Sequence, residues 1–124
     1  HTIGLLNLFP YNSGHVLIAP LVHVGRLEDL SDDVLLALMQ GTRDVKRVLE
    51  TALGAQGFNI GINLGHCAGA GLPEHLHVHV VPRWNGDTNY MAVLADVKVI
   101  PQSLAAVRNL FLAKAVELGL PAAR

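Results

Sequence analysis

His75-Leu-His-Val-His-Val-Val81 is the stretch on which the reading of this chain turns. Successive side chains of an extended strand point to opposite faces. His75, His77 and His79 therefore share one face, at intervals of roughly 6.5–7 Å. Leu76, Val78 and Val80 share the other and can enter a core. The histidine face is hard to explain by packing, because imidazole suits neither a core nor an edge position. One histidine here would read as a satisfied structural residue. Three in strict alternation point to chemistry.

Two chemistries need such a row. His-x-His on a strand can present two nitrogens to one zinc ion, but a catalytic zinc needs a third ligand. The following residues, Val80-Val-Pro-Arg-Trp84, supply none, so metal binding is the weaker reading. The stronger is nucleophilic catalysis at phosphorus, since a neutral imidazole is a good nucleophile near pH 7. Flanking histidines could fix its tautomer and donate to phosphate oxygens or a leaving group. The loop just upstream, Gly65-His-Cys-Ala-Gly-Ala-Gly71, suits that task, because glycines let backbone amides approach a phosphate closely. Gly-rich turns alone are a weak signal. One strand-length from three histidines, this one is a much stronger signal.

Outward from this segment the chain reads as α+β. Residues 2–8 and 14–20 are short apolar strands joined by the turn-rich Pro10-Tyr-Asn-Ser-Gly14. Ser31 is an N-cap for a helix whose apolar residues, from Val34 to Ala52, recur at three- and four-residue steps until Gly54. Residues 58–64 alternate as a half-buried strand, and residues 75–81 form a second, stopped by Pro82. A weaker helix spans about 103–118. The connections are too short for repeated βαβ crossovers, so the sheet is expected to be antiparallel.

Bulk properties narrow the function. The chain has 124 residues, the size of one domain, and no internal repeat. It is 51% apolar and 15% charged, which excludes disorder and leaves apolar surface for a partner, most simply a second copy. Net charge is −1 and the nine Lys and Arg form no run, so binding to long nucleic acid is not indicated. The single cysteine, Cys67, rules out an internal disulfide and fits a reducing, cytoplasmic setting. No stretch approaches the ~20 apolar residues of a membrane span, and the N-terminus lacks a signal-peptide pattern. The chain opens inside a strand-like run, so its N-terminus is expected to be truncated.

His75-Leu-His-Val-His-Val-Val81 resembles the signature of the histidine-triad (HIT) family, with every apolar position filled. Asn7-Leu-Phe-Pro-Tyr-Asn-Ser-Gly-His15, Asn59-Ile-Gly-Ile-Asn63-Leu-Gly65, Ala68-Gly-Ala-Gly71, Pro82-Arg-Trp84 and Gly86-Asp-Thr-Asn-Tyr-Met91 extend the likeness to the bacterial Fhit-like branch. That branch includes diadenosine tetraphosphate phosphorylases and hydrolases. The resemblance covers essentially residues 1–124 and implies a single HIT domain. Its fold is a five-stranded antiparallel sheet with two helices, dimerising into a ten-stranded sheet.

The resemblance implies that His77 is the nucleophile that becomes bonded to AMP, with His79 and His15 completing its cluster. His75 would lie near the phosphates or leaving group. Asn7 would hold the ribose, Asn63 the α-phosphate, and the stretch from Gly69 through Gly71 and Leu72 would offer backbone donors to phosphate. Leu5, Leu6 and Phe9 are candidates for the adenine slot, although core packing is the commoner role. The covalent step needs no cofactor, and a substrate-bound Mg2+ is compatible with it. Some relatives bind zinc through a Cys-x-x-Cys absent from this sequence, although His23 falls where another such ligand often stands.

Other residues read blandly. His23 and His66 are expected to be loop histidines, Cys67 a small packed residue, and Trp84 a packing residue or a base-stacking one. Arg83 is expected to pair with Asp87, which with Asn89 shapes a turn. Competing functions are a zinc-dependent hydrolase using the same histidines, a regulatory protein that holds AMP with little turnover, and a triad enzyme specialised in phosphoramidates.

Overall fold

Strands β1 (Thr2–Leu6) and β2 (Val16–Pro20) form an antiparallel hairpin, from Thr2 opposite Pro20 to Leu6 opposite Val16. The computed structural model describes residues 1–88 and 102–121. Helix α1 (Asp32–Leu53) follows a single 3-10 turn at Leu27–Asp29. Next come β3 (Gly57–Ile62), a second 3-10 turn at His66–Ala68, β4 (Val78–Arg83) and helix α2 (Leu104–Glu117). The strands lie in the order β1-β2-β4-β3, every neighbouring pair antiparallel.

The helices form where capping and periodicity placed them. Ser31 and Ser103 sit at the N-caps, and the Ser103 hydroxyl accepts from the Ala106 amide at 3.3 Å. Asp32 and Asp33 occupy the positive end of α1, and Gly54 ends it in the left-handed region at φ 60°. One face of α1 buries Leu38 and Leu49 against Ile18, Val78 and Val80 of the sheet. The approach is close at Gly41, where a Cβ would stand 3.3 Å from Ile18 Cγ2. Helix α1 packs on β1, β2 and β4, and α2 packs on α1. The back of β3 is left open, with Ile60 and Ile62 exposed.

Two expectations are corrected. The described residues carry four strands, not five, because between residues 2 and 83 the alternating segments are exhausted by these four. The segment expected over 75–81 also enters the ladder late and leaves it late. Its pairing with β3 starts at Val78 opposite Ile62, since β3 ends there and gives way to the glycine loop. Residues 75–77 keep the alternation of burial and are tied instead to the 23–24 segment by the Leu76 amide, which donates to the Val24 carbonyl at 2.7 Å. Pro82 does not stop the strand. Its carbonyl faces the β1–β2 turn, where Asn12 donates to it, so its missing N–H faces the same way and costs no bond to β3.

Gly25 shows how tightly the approach to β4 is held. A Cβ there would lie 2.4 Å from the Pro73 carbonyl oxygen and 2.9 Å from Glu74 Cα, both backbone. A Gly25→Ala substitution is expected to push the 73–75 segment away, at a cost of about 1–3 kcal/mol in urea unfolding.

Candidate active site

The end of the sheet where the β1–β2 turn meets β4 gathers three imidazoles. His79 points from β4 between Leu17 of β2 and Gly61 of β3, its register partners. Gly61 has no heavy atom within 4 Å of where a Cβ would stand, so this face stays open beside His79. The His77 and His79 rings meet edge to face at 4.9 Å, and those of His15 and His79 at 5.1 Å. His15, at the start of β2, is 1% exposed.

Hydrogen bonds fix the tautomers in a chain. The Phe9 amide donates to Asn7 Oδ1 at 2.9 Å, which turns the Asn7 amide nitrogen towards His15 Nδ1, 3.2 Å away. The Tyr11 backbone N–H donates to the same His15 nitrogen at 3.0 Å. Facing two donors, His15 Nδ1 is the acceptor, and the ring proton sits on Nε2. That N–H donates to His79 Nδ1 at 2.9 Å, so His79 carries its own proton on Nε2. His79 Nε2 is buried without a hydrogen-bond partner among the described residues, an N–H ready for a ligand oxygen. Separately, His77 Nδ1 donates to the His75 carbonyl at 2.9 Å, which leaves the lone pair on Nε2.

Burial supports this assignment. It pushes the His15 pKa down to about 4, with the neighbouring His79 and His77 opposing a proton further. His79 is lowered first by burial and then by His77. A neutral donor chain and a nucleophilic nitrogen stand side by side.

His75 is not part of this cluster. Its Nε2 donates to the Pro20 carbonyl at 2.9 Å, and its Nδ1 lies 3.1 Å from His23 Nδ1. The three-histidine row is therefore two plus His15, with His75 turned to His23, which with Arg26, Glu28, Leu64 and Glu74 lines an open hollow of about 800 Å³. Asn63, just past β3, donates to the Gly69 carbonyl at 3.3 Å and so braces the glycine loop. Gly69 adopts φ 85°, closed to most side chains, whereas Gly71 has no such φ and open space around it. Leu72 is 52% exposed, and its carbonyl accepts from the His75 amide.

A family model described as the HIT domain matches residues 1–86. The chain belongs to the HIT family. Among HIT relatives, the AP-4-A phosphorylase of Mycobacterium tuberculosis is 49% identical over 107 residues, covering 86% of this chain and 55% of that protein. The asymmetrical bis(5'-nucleosyl)-tetraphosphatase of Schizosaccharomyces pombe is 43% identical over 84 residues, 68% of this chain and 46% of that protein. The chain thus spans about half the length of these two relatives. A Zn-bound histidine-triad family protein of Mycobacterium smegmatis has the same fold, with a TM-score of 0.78 at 28% identity over 95% of this chain and 80% of that one.

Several contacts escaped the sequence reading. Asn12 is 7% exposed and donates to the Pro82 carbonyl and, at 2.9 Å, to Asp87, clamping the turn that carries Tyr11 onto the end of β4. Asp87 is also held by Arg83, as expected, and that guanidinium keeps its carboxyl well below the usual carboxylate range. His23, read as a loop residue, faces His75. Only the pairing of two distant loops reveals that. Cys67 is exposed rather than packed. Trp84 also makes a bond that no pattern announced: its Nε1 donates to the Leu53 and Gly54 carbonyls at the end of α1. Leu6 belongs to the core side, while Leu5 and Phe9 are exposed. Asn89 lies outside the described residues. His23 and His75 bring two nitrogens together, and no group of three or more metal donors occurs among the described residues. Two donors do not close a tetrahedral site.

Proposed function

We propose that this HIT protein cleaves the α-phosphate linkage of dinucleoside polyphosphates, such as diadenosine tetraphosphate, through a covalent AMP adduct on His77. The observation that carries the reading is the pairing of opposite tautomers: a lone pair on His77 Nε2 beside an unpartnered N–H on His79. His77 Nε2 attacks the α-phosphorus, a nitrogen–phosphorus bond forms, and the bond to the bridging oxygen breaks, releasing ATP from diadenosine tetraphosphate. The His79 N–H donates to the oxygen on which charge develops. Water then yields AMP, or phosphate yields ADP, and His77 is free again. The names of the two enzyme relatives support this substrate class.

In this reading Asn7 meets the ribose while holding His15, and Asn63 with Gly69, Gly71 and Leu72 lines the phosphates. The hollow lined by His23 and Glu74 has room for the leaving nucleotide. The whole of residues 1–124 acts as one HIT domain in the cytoplasm, α2 packing on α1. No helix among the described residues is long and apolar enough to cross a membrane. A homodimer would cover the exposed Ile60 and Ile62 by joining sheets at β3, an edge strand of the described sheet.

The test is incubation with diadenosine tetraphosphate, with and without inorganic phosphate. The expected products are ATP plus ADP with phosphate, or ATP plus AMP when water is the acceptor. Tight AMP binding with no cleavage in either condition would replace the enzyme with a regulatory nucleotide binder. Activity abolished by chelator, without added magnesium dependence, would instead favour the zinc hydrolase.

A further inference from the structure

We propose that Tyr11 is a positioning residue for the His15–His79 pair: its ring lies across both imidazoles and keeps water off the relay that feeds the His79 N–H. The Tyr11 ring stacks on His79 at 5.6 Å with planes 20° apart, and lies over His15 at 4.8 Å and 31°. Tyr11 is itself 53% exposed, so one side of it meets water and the other meets the histidines. The same residue supplies the backbone N–H that makes His15 Nδ1 an acceptor. Backbone and ring thus act on one pair: the first sets the tautomer, the second sets the medium.

The turn is held in place for this. Asn12, the next residue, is buried and bonded to Pro82 and Asp87 of the opposite segment, so the ring is pinned from behind. The titratable groups bearing on the pair among the described residues are the two imidazoles and His77, all of which disfavour a proton on it. Arg83 shares a second, smaller hollow with Tyr11, and its charge is matched by Asp87. Exclusion of water acts beside these imidazoles and is the larger of the two influences that hold the pair neutral. The contribution to turnover rests on the function proposed above; the effect on the two imidazoles does not.

The experiment is an NMR titration of the imidazole nitrogens in the wild type, Tyr11→Phe and Tyr11→Ala, alongside the pH profile of diadenosine tetraphosphate cleavage. In Tyr11→Ala the His15 and His79 titrations should move up by about one unit. The acid limb of kcat should move up with them while KM changes little. Tyr11→Phe, which keeps the ring, should match the wild type. Tyr11→Leu covers the chance that alanine costs the fold, and should give a smaller shift in the same direction. Unchanged titrations in a folded variant lacking the ring would overturn the proposal, as would Tyr11→Phe behaving like Tyr11→Ala. If the wild type cleaves no dinucleoside polyphosphate, the function fails while the titration still decides the role of Tyr11.

Discussion

A His77→Ala protein is expected to lose at least ~10⁴-fold in kcat on diadenosine tetraphosphate while keeping its fold and its affinity for AMP. The magnitude follows from the step removed. The remaining donors can still bind and polarise the phosphate, but no other nitrogen in the cluster offers a free lone pair: His15 Nδ1 accepts two bonds, and His79 Nδ1 accepts one from His15. Water would have to attack directly. The fold should survive because, among the described residues, the His77 side chain makes one hydrogen bond, to the carbonyl of His75, and is only half-buried. Matched thermal melts with turnover at or above a hundredth of wild type would refute the role.

The second large effect is on stability in acid. Burial holds the His15 pKa near 4, against the ordinary 6.5, so the unfolded chain takes up a proton before the folded one does. The stability tied to a neutral His15 is complete above about pH 6.5, declines as pH falls, and is exhausted near pH 4. The whole effect is roughly 3 kcal/mol, with about 2 kcal/mol of it gone by pH 5. His79 is shifted in the same direction and steepens the decline. The Arg83-bound Asp87 loses its stabilising charge only at lower pH, because its carboxyl is depressed, so the two windows separate. Urea unfolding at pH 7 and pH 5 should therefore show a marked fall in the wild type, and a smaller fall in His15→Gln, whose amide does not titrate. Equal falls in the two proteins would show that His15 is not held neutral.

The parts of this protein legible in its sequence are those set by local periodicity. The alternation around His77 placed two imidazoles on one open face, and the repeat from Val34 to Ala52 with Ser31 and Gly54 at its ends gave α1 almost to the residue. Strand limits were less legible because they depend on the partner. β4 begins at Val78 since β3 has nothing to pair with beyond Ile62, and it passes Pro82 because the missing donor faces the turn rather than the ladder. The relay was legible only in its members. Asn7, His15 and His79 could be named, but which nitrogen carries the proton is fixed by the Phe9 and Tyr11 amides, and no pattern of side chains reports a backbone donor. Tyr11 and Asn12 looked like ordinary turn residues for the same reason. Their neighbours lie about 70 positions away, at His79, Pro82 and Asp87.

The most direct measurement is rapid quenching of the reaction with diadenosine tetraphosphate, followed by peptide mass spectrometry under conditions that preserve phosphoramidate bonds. The prediction is AMP attached to the ring of His77 early in turnover, absent from His77→Ala. Full turnover with no adduct on any histidine, together with inverted configuration at a chiral α-phosphorus, would contradict it.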